Sequence, residues 1–467
     1  MTHPTYLAFD LGASGGRAVL GTLEGDRMRT DVVHRFTTPI VEEGGHLFWN
    51  LDGLWAELTR GLALAREAAP ALRSLSVDSW AVDYVPLDAR GDPLGRPYCY
   101  RDARTAGVMA RAFETLPAEA LYAHTGIQFL PFNTVFQLLA DRDHDPQGMQ
   151  AVDHYLPIAD YFNARFGGRT AVEVSMASTT QLMDVRTKQW AGPVFEAFGL
   201  DAGRWPAIVP SGTRLGSVTD SPDAEVVASC SHDTGAAVAA APAAGDRPWA
   251  FVSSGTWSLL GMERAEPLLT PAAREAGFTH EAGVNGTIRF LKNLTGLWAL
   301  QECVREWGDA DWATLEREAR AAPAGSARID LEDPRFLARG GMAERLRAWC
   351  RERRQPVPES RGQLVRVILE SIAHSYRKAV DDLRRVTGQR PEVLHVFGGG
   401  SQNRLLCQFA ADACAMTVVA GPAEATALGN LLVQARTMGD LREGLTIRDV
   451  AARSSALEVF TPTLQSD

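Results

Sequence analysis

An α/β protein of two domains with a cleft between them is the fold this sequence predicts, and three observations carry that prediction. Strand-length apolar runs alternate with amphipathic helices in both halves of the chain. One design, a strand, a glycine-containing turn and a returning strand, opens each half: YLAFD, LGASGGR, AVLGTL near the start, then WAFVS, SGT, WSLLGME from residue 249. Between them lies AVAAAPAAGDRP, residues 237–248, a stretch of small residues broken at Gly245 and Pro248. The boundary is expected near residue 245. The repeated hairpin reads as a duplication at domain level.

The elements follow in order. Gly12, Gly15 and Gly16 are expected to supply positive φ in the first turn. A helix is expected over 52–68, where Leu51, Leu54, Trp55, Leu58, Leu62 and Ala65 recur near the helical period. SLSVDSW and AVDYVPLD read as two strands, closed by the turn ARGDPLG. In the second half, 361–386 reads as a long helix. EVLHVF is then a short apolar strand, GGGSQN a turn, RLLCQFAADACA a helix and TVVAG a strand. Asn293 and Gln301, in RFLKNLTGLWALQE, would share a face if that segment were one continuous helix.

Composition narrows the function. With 45% hydrophobic and 22% charged residues, the chain can bury more than one core. A formal charge of -10 disfavours nucleic acid, and the nearest basic run, Arg351–Arg354, reads as a solvated helix face. No apolar run approaches the roughly 18 residues that span a bilayer. Lysine occurs only at 188, 292 and 378, so no P-loop GK[ST] motif exists. The cysteines at 99, 230, 303, 350, 407 and 414 form no CxxC pair. A reduced, cytoplasmic enzyme is expected, with no membrane or nucleic-acid partner.

Several segments carry chemistry. Asp10 ends the first strand, where a carboxylate can hold Mg2+ through water. Ser14 and the turn N–H groups can approach an anion, and Arg17 can reach a phosphate oxygen. By itself DLGASGGR also reads as an ordinary hairpin. Thr256 and Gly255 occupy the matching turn of the second hairpin, and two such turns can clamp one polyphosphate. SHDTGAAVAAA places His232 and Asp233 ahead of an Ala-rich helix, where a carboxylate stays ionised and can accept a proton. The alternative for Asp233 is a helix cap. GGGSQN lets backbone pass close to a flat ligand or makes a plain turn. Trp80 and Asp83 pair an aromatic ring with a carboxylate, a common sugar-site combination, although a strand Trp is usually core.

In this order, AFDLGASGGR, SVDSWAVDYVPLD, YRDART, HTGIQFLPFNT, ASTTQLMDVRTKQW, CSHDTGAAVAA, VSSGTWSLLGME, LKNLTGLW and HVFGGGSQN resemble the motifs of FGGY-type carbohydrate kinases, from about residue 5 to about 436. The resemblance implies two actin-like (ribonuclease H-like) domains, a sugar-binding one over 1–245 and an ATP-binding one over 246–467. It implies ATP as donor, with Mg2+, and phosphorylation of L-rhamnulose at its 1-hydroxyl. It implies Ala13, Ser14, Gly15, Gly16, Arg17, Thr256, Gln301 and Gly400 on the nucleotide. On the sugar side it implies His232, Asp233, Thr234 and Asn293, with Asp233 as general base; Trp80, Ala81 and Asp83 are expected to face the sugar beside them. Where the family pattern has Gly after the Trp of the sugar-binding strand, this chain has Ala81. Two other readings stand beside this one: a kinase for another ketose such as L-fuculose or D-xylulose, and an actin-like nucleotide switch without sugar kinase activity.

Overall fold

The computed structural model describes residues 3–243, 245, 247–308 and 311–463. The expected domain limits at 1, 246 and 467 lie outside them. The chain forms two compact units. Unit 1 comprises Met1–Ala240, Glu263–Phe290 and Ala425–Ser454; unit 2 comprises Ala241–Met262, Leu291–Glu424 and Ser455–Asp467. The units therefore differ from contiguous halves split at 245 in two excursions of the second half.

Unit 1 is built on a six-stranded sheet in the order Thr213–Val218, Ser221–Ala228, Leu72–Ser79, Thr5–Leu11, Gly15–Glu24, Arg27–Thr37. Thr5–Leu11 pairs antiparallel with Gly15–Glu24 and parallel with Leu72–Ser79. Its side chains alternate between two cores. Leu7, Phe9 and Leu11 pack with Leu54, Leu58 and Leu62 of the helix Leu51–Ala68. Tyr6 and Ala8 pack with Ala236, Leu428, Leu431 and Leu432 on the other side. A strand covered on both faces reads as an unbroken apolar run, which is how YLAF reads. The helix Ala425–Thr437 supplies the second cover, and this places that segment in unit 1. A third core, around Tyr84, Phe136, Phe195 and Trp205, lies within an insertion of the same unit. AVDYVPLD does yield a strand, Tyr84–Leu87, but it pairs with His154–Pro157 and not with Leu72–Ser79.

Unit 2 repeats the local design. Trp249–Ser254 pairs antiparallel with Trp257–Arg264 and parallel with Val393–Phe397, which pairs in turn with Thr417–Ala420. The long helix spans Arg361–Thr387. Ser360 and Gln363 form a capping box at its start, and Gly388 closes it with φ +70°. The Tyr376 hydroxyl lies 2.6 Å from Ser258 Oγ and 3.3 Å from Ser254 Oγ, which fixes this helix against the hairpin.

Candidate active site

The first turn holds its shape by close approach. Gly12 N donates to Gly15 O at 3.0 Å, and Thr38 Oγ1 donates to Gly12 O at 2.7 Å. None of Gly12, Gly15 and Gly16 has positive φ, contrary to expectation. Gly16 is required instead because a Cβ there would lie 2.5 Å from the Phe36 ring. Ala13 is half-buried, Ser14 and Gly15 are exposed, and Gly16 is buried, so the turn offers its tip to solvent. Asp10 and Arg17 face each other across the two strands. Arg17 Nη2 lies 2.7 Å from Asp10 Oδ2, and Arg17 Nε donates to the same oxygen at 2.9 Å. The arginine expected to meet a phosphate is here paired with the carboxylate expected to orient Mg2+.

Asp78 is a third acid that sequence reasoning passed over, although it sits inside the SVDSW strand. It is in register with Asp10 on the neighbouring parallel strand and is fully buried. Asn430 Nδ2 donates to its Oδ2 at 2.6 Å, while Oδ1 has no hydrogen-bond partner among the described residues. Burial, reinforced by Asp10 and then Asp233, pushes its carboxyl well above the usual range; Asn430 and Arg17 oppose the shift. A carboxylate near the end of a strand read as buried was the available signal.

The end of that strand positions the acceptor side. Ser79 N donates to Ser231 O at 2.8 Å, and Ser79 bridges His232 in parallel fashion. Behind this segment, Glu173 accepts from Ser231 N at 3.1 Å, from Ser211 Oγ at 2.5 Å and from the Ser175 hydroxyl. Ser175 Oγ accepts from His232 N at 3.0 Å. The loop entering the helix Asp233–Ala239 is thereby fixed from a buried acid. Asp233 is the first helical residue; the capping position belongs to His232, whose side chain makes no cap bond. Asp233 Oδ1 accepts from Thr234 N at 2.5 Å and Thr234 Oγ1 at 3.1 Å. His232 Nε2 lies 3.4 Å from the same oxygen. The structure thus joins His232, Asp233 and Thr234 in one cluster.

Asp83 and Trp80 are arranged otherwise than expected. Asp83 is 1% exposed. Its Oδ2 accepts from Trp49 Nε1 at 2.6 Å, Trp80 Nε1 at 3.0 Å and Tyr100 N at 3.1 Å; its Oδ1 accepts from Gln137 Nε2 at 3.0 Å. The carboxylate orients two adjoining indoles, whose centroids are 4.3 Å apart and whose planes are tilted by 42°, rather than lying open to sugar hydroxyls. Between them, Ala81 is half-buried, and Val82 has φ +70°, an uncommon conformation for a β-branched residue. Thr134 Oγ1 and Gln137 Nε2 both donate to the Val82 carbonyl, at 2.7 and 3.2 Å, and so hold the kink.

Two further residues, invisible to the sequence reading, lie beneath His232. Arg289 is 0% exposed; its Nη2 is 3.1 Å from His232 Nδ1, and its Nε donates to Ala282 O at 3.1 Å. Glu281 Oε2 lies 3.0 Å from Arg289 Nη1 and 3.2 Å from His232 Nδ1. Burial alone would raise the Glu281 carboxyl, but Arg289 and then His232 bring it down from 4.5 to about 2. Neither residue belongs to a motif near 232, so only the fold brings them there.

Three of the residues expected on the nucleotide, Thr256, Gln301 and Gly400, lie in unit 2. A pocket of about 460 Å3 is lined by Gly255, Leu297, Gln301, Trp312, Gly400 and Asn403, among others. Thr256 Oγ1 donates to Gln301 Oε1 at 3.0 Å. Gly255 O accepts from Leu297 N at 2.9 Å, which docks the second turn on the loop before the helix Trp298–Trp307. Asn293 is exposed in the strand Ile288–Thr295, so it and Gln301 do not share one helix; Gly296 and Leu297 separate the two elements. Trp312, half exposed, forms an apolar wall that the sequence reading did not single out. Gly400 is required by packing: a Cβ would lie 2.6 Å from Ser254 Cβ and closer still to its Oγ. On the expectation that this pocket takes ATP, Gly400→Ala should displace its floor and raise KM for ATP about tenfold, an effect of ~1.4 kcal/mol, with KM for the second substrate unchanged. Steady-state kinetics with each substrate varied would check this, and an unchanged KM for ATP would exclude it.

Comparison with known proteins extends over the whole chain. The N-terminal domain of the FGGY family of carbohydrate kinases matches residues 5–240, and its C-terminal domain matches residues 250–438. A protein of Bacteroides thetaiotaomicron named rhamnulokinase is 38% identical, with 98% of this chain and 96% of that one covered. One of Pectobacterium atrosepticum with the same name is 41% identical, covering 100% of this chain and 95% of that one. In structure, the chain is similar to a xylulose kinase from Lactobacillus acidophilus, with TM-score 0.82 at 14% identity, covering 98% and 94% of the two chains. It is also similar to Plasmodium falciparum glycerol kinase with ADP, with TM-score 0.78 at 17% identity, covering 99% and 94%.

Proposed function

Because the chain belongs to the FGGY family of carbohydrate kinases, we propose that it transfers the γ-phosphoryl group of ATP to the 1-hydroxyl of L-rhamnulose, giving L-rhamnulose 1-phosphate and ADP. The observation that carries the substrate is full-length identity of 38–41% to proteins named rhamnulokinase. The chemistry rests on Asp233, an acid held at a helix start by Thr234 and flanked by His232.

Asp233 accepts the proton of the 1-hydroxyl as that oxygen bonds to the γ-phosphorus and the bond to the ADP oxygen breaks. The transition state is loose, so holding the hydroxyl in line contributes more than base strength. Trp80 and Ala81 face the sugar, with the indole locked by Asp83, and Thr234 and Asn293 serve its hydroxyls. In unit 2 the residues proposed to serve ATP are Thr256, Gln301 and the backbone at Gly400; in unit 1 those proposed to serve phosphate are Ala13, Ser14, Gly15, Gly16 and Arg17. Among the described residues no group of three His, Cys, Asp or Glu side chains is arranged to hold a metal. Asp10, paired with Arg17 and in register with Asp78, would hold a Mg2+ bound mainly by nucleotide phosphates and water. Such an ion would offset charge on the transferring group. Six free, buried cysteines support a cytoplasmic setting, and no helix among the described residues is long and apolar enough to cross a membrane.

A coupled assay over a ketose panel tests the reading. L-rhamnulose is expected to give the highest kcat/KM. A tenfold preference for L-fuculose or D-xylulose, about 1.4 kcal/mol in transition-state binding, would transfer the assignment to that sugar, with the extra methyl of Ala81 as the first place to look. Fast ADP release without any sugar would instead favour a nucleotide switch.

A further inference from the structure

The group next to the proposed base is a histidine, and what it does depends on which ring nitrogen carries the proton. Two side chains compete for His232 Nδ1. Arg289 Nη2 lies 3.1 Å away in hydrogen-bonding geometry. Glu281 Oε2 lies 3.2 Å away, but the same oxygen is already ion-paired with Arg289 Nη1 at 3.0 Å. A guanidinium can only donate, so a nitrogen that accepts from it has a bare lone pair. The proton must then sit on Nε2, the nitrogen 3.4 Å from Asp233 Oδ1.

The backbone is shaped for this contact. Gly235 lies in the first turn of the Asp233 helix, and a Cβ there would stand 3.2 Å from Arg289 Nη2 and 2.6 Å from Cys230 Sγ. Glycine thus admits the guanidinium beneath the turn. Arg289 is further anchored by the Ala282 carbonyl and by ion pairing with Glu281. Ionised Glu281 balances the buried guanidinium, so the ring meets a directed donor rather than an uncompensated positive charge.

We infer that Arg289 is a positioning residue that fixes His232 as its Nε2–H tautomer, so that the ring presents a donor, not a competing base, toward Asp233. In this arrangement only Asp233 can take the acceptor's proton, and the His232 N–H steadies the carboxylate in the orientation that faces the hydroxyl. Glu281 holds Arg289 in place and stands ready to capture Nδ1–H when Arg289 is removed. The inference rests on Asp233 as the base of the proposed reaction.

The test is 15N NMR of the histidine-labelled full chain at neutral pH without sugar or nucleotide, with the His232 signals assigned from a His232→Gln sample. The parent protein is expected to show Nε2–H and an unprotonated Nδ1. In Arg289→Met the ring is expected to flip to Nδ1–H bonded to Glu281. The same variant is expected to lose ~10- to 100-fold in kcat, as happens when a group orienting a working side chain is removed, with KM for ATP unchanged. Arg289→Lys, which still donates, should restore the Nε2–H signal and part of kcat. A parent spectrum with Nδ1–H or a doubly protonated ring overturns the inference, and that spectrum decides even if Arg289→Met fails to fold. So does an Arg289→Met protein with both tautomer and kcat unaltered. Failure of the base assignment has a different signature: Asp233→Asn would then keep its kcat while the His232 tautomer remained as inferred.

Discussion

Asp233→Asn is expected to lower kcat by ~10²- to 10⁴-fold, the usual contribution of a positioned general base, while the chain stays folded and still binds ATP. The substitution keeps size and leaves Oδ1 to accept from Thr234 N and Oγ1, so the local geometry has reason to survive. What it removes is the capacity to take a proton. A helix-capping role would produce a different result. The capping position is occupied by His232, and Asp233 already lies inside the helix. Loss of Asp233 as a mere first-turn acid would cost about 0.3–1 kcal/mol of stability and leave turnover nearly intact. Turnover at saturating ATP and sugar, with calorimetric ATP binding on the same sample, separates the two. A near-parental kcat would end the base assignment.

Gly429→Ala is expected to be the most damaging single-methyl change in unit 1. Gly429 lies in the helix Ala425–Thr437, which packs on the helix Asp233–Ala239. A Cβ at 429 would lie 2.6 Å from the Ala236 carbonyl carbon, and closer to its oxygen. The obstacle is backbone, so no rotamer change can relieve it, and the helices must move apart. Overpacking of this kind costs about 3 kcal/mol. Because the displaced helix begins at Asp233, kcat should fall along with the unfolding midpoint in urea. An unaltered midpoint would show that the contact is looser than the structure has it.

Much of the fold was legible because its causes are local. The helix at 52–68 and the long one at 361–386 are found at Leu51–Ala68 and Arg361–Thr387, since the apolar period lies within each segment, Asn50 and Ser360 cap the starts, and Gly388 closes the second. Both hairpins were legible for the same reason. Where the reading needed information from further away, it slipped. Gly16 was expected to supply positive φ, whereas its role is to make room for Phe36. Whether Asn293 and Gln301 share one helix was left open, because nothing in LKNLTGLW states that a strand ends at Thr295.

The sequence by itself determined the α/β class, the repeated hairpin and the residues His232, Asp233 and Thr234 as a run, because each depends on neighbours along the chain. Only the tertiary structure decided what surrounds them. It drew Ala425–Ser454 into unit 1, since the even face of the strand Thr5–Leu11 has to be covered and that helix supplies the apolar side chains. It turned Asp83 from an open sugar ligand into the acceptor of two indole N–H groups, because a buried carboxylate must be hydrogen-bonded. It also set Arg289 and Glu281 under His232, a pairing of charges buried together because neither could be buried alone. Such contacts join residues far apart in the chain, and no local periodicity or spacing encodes them.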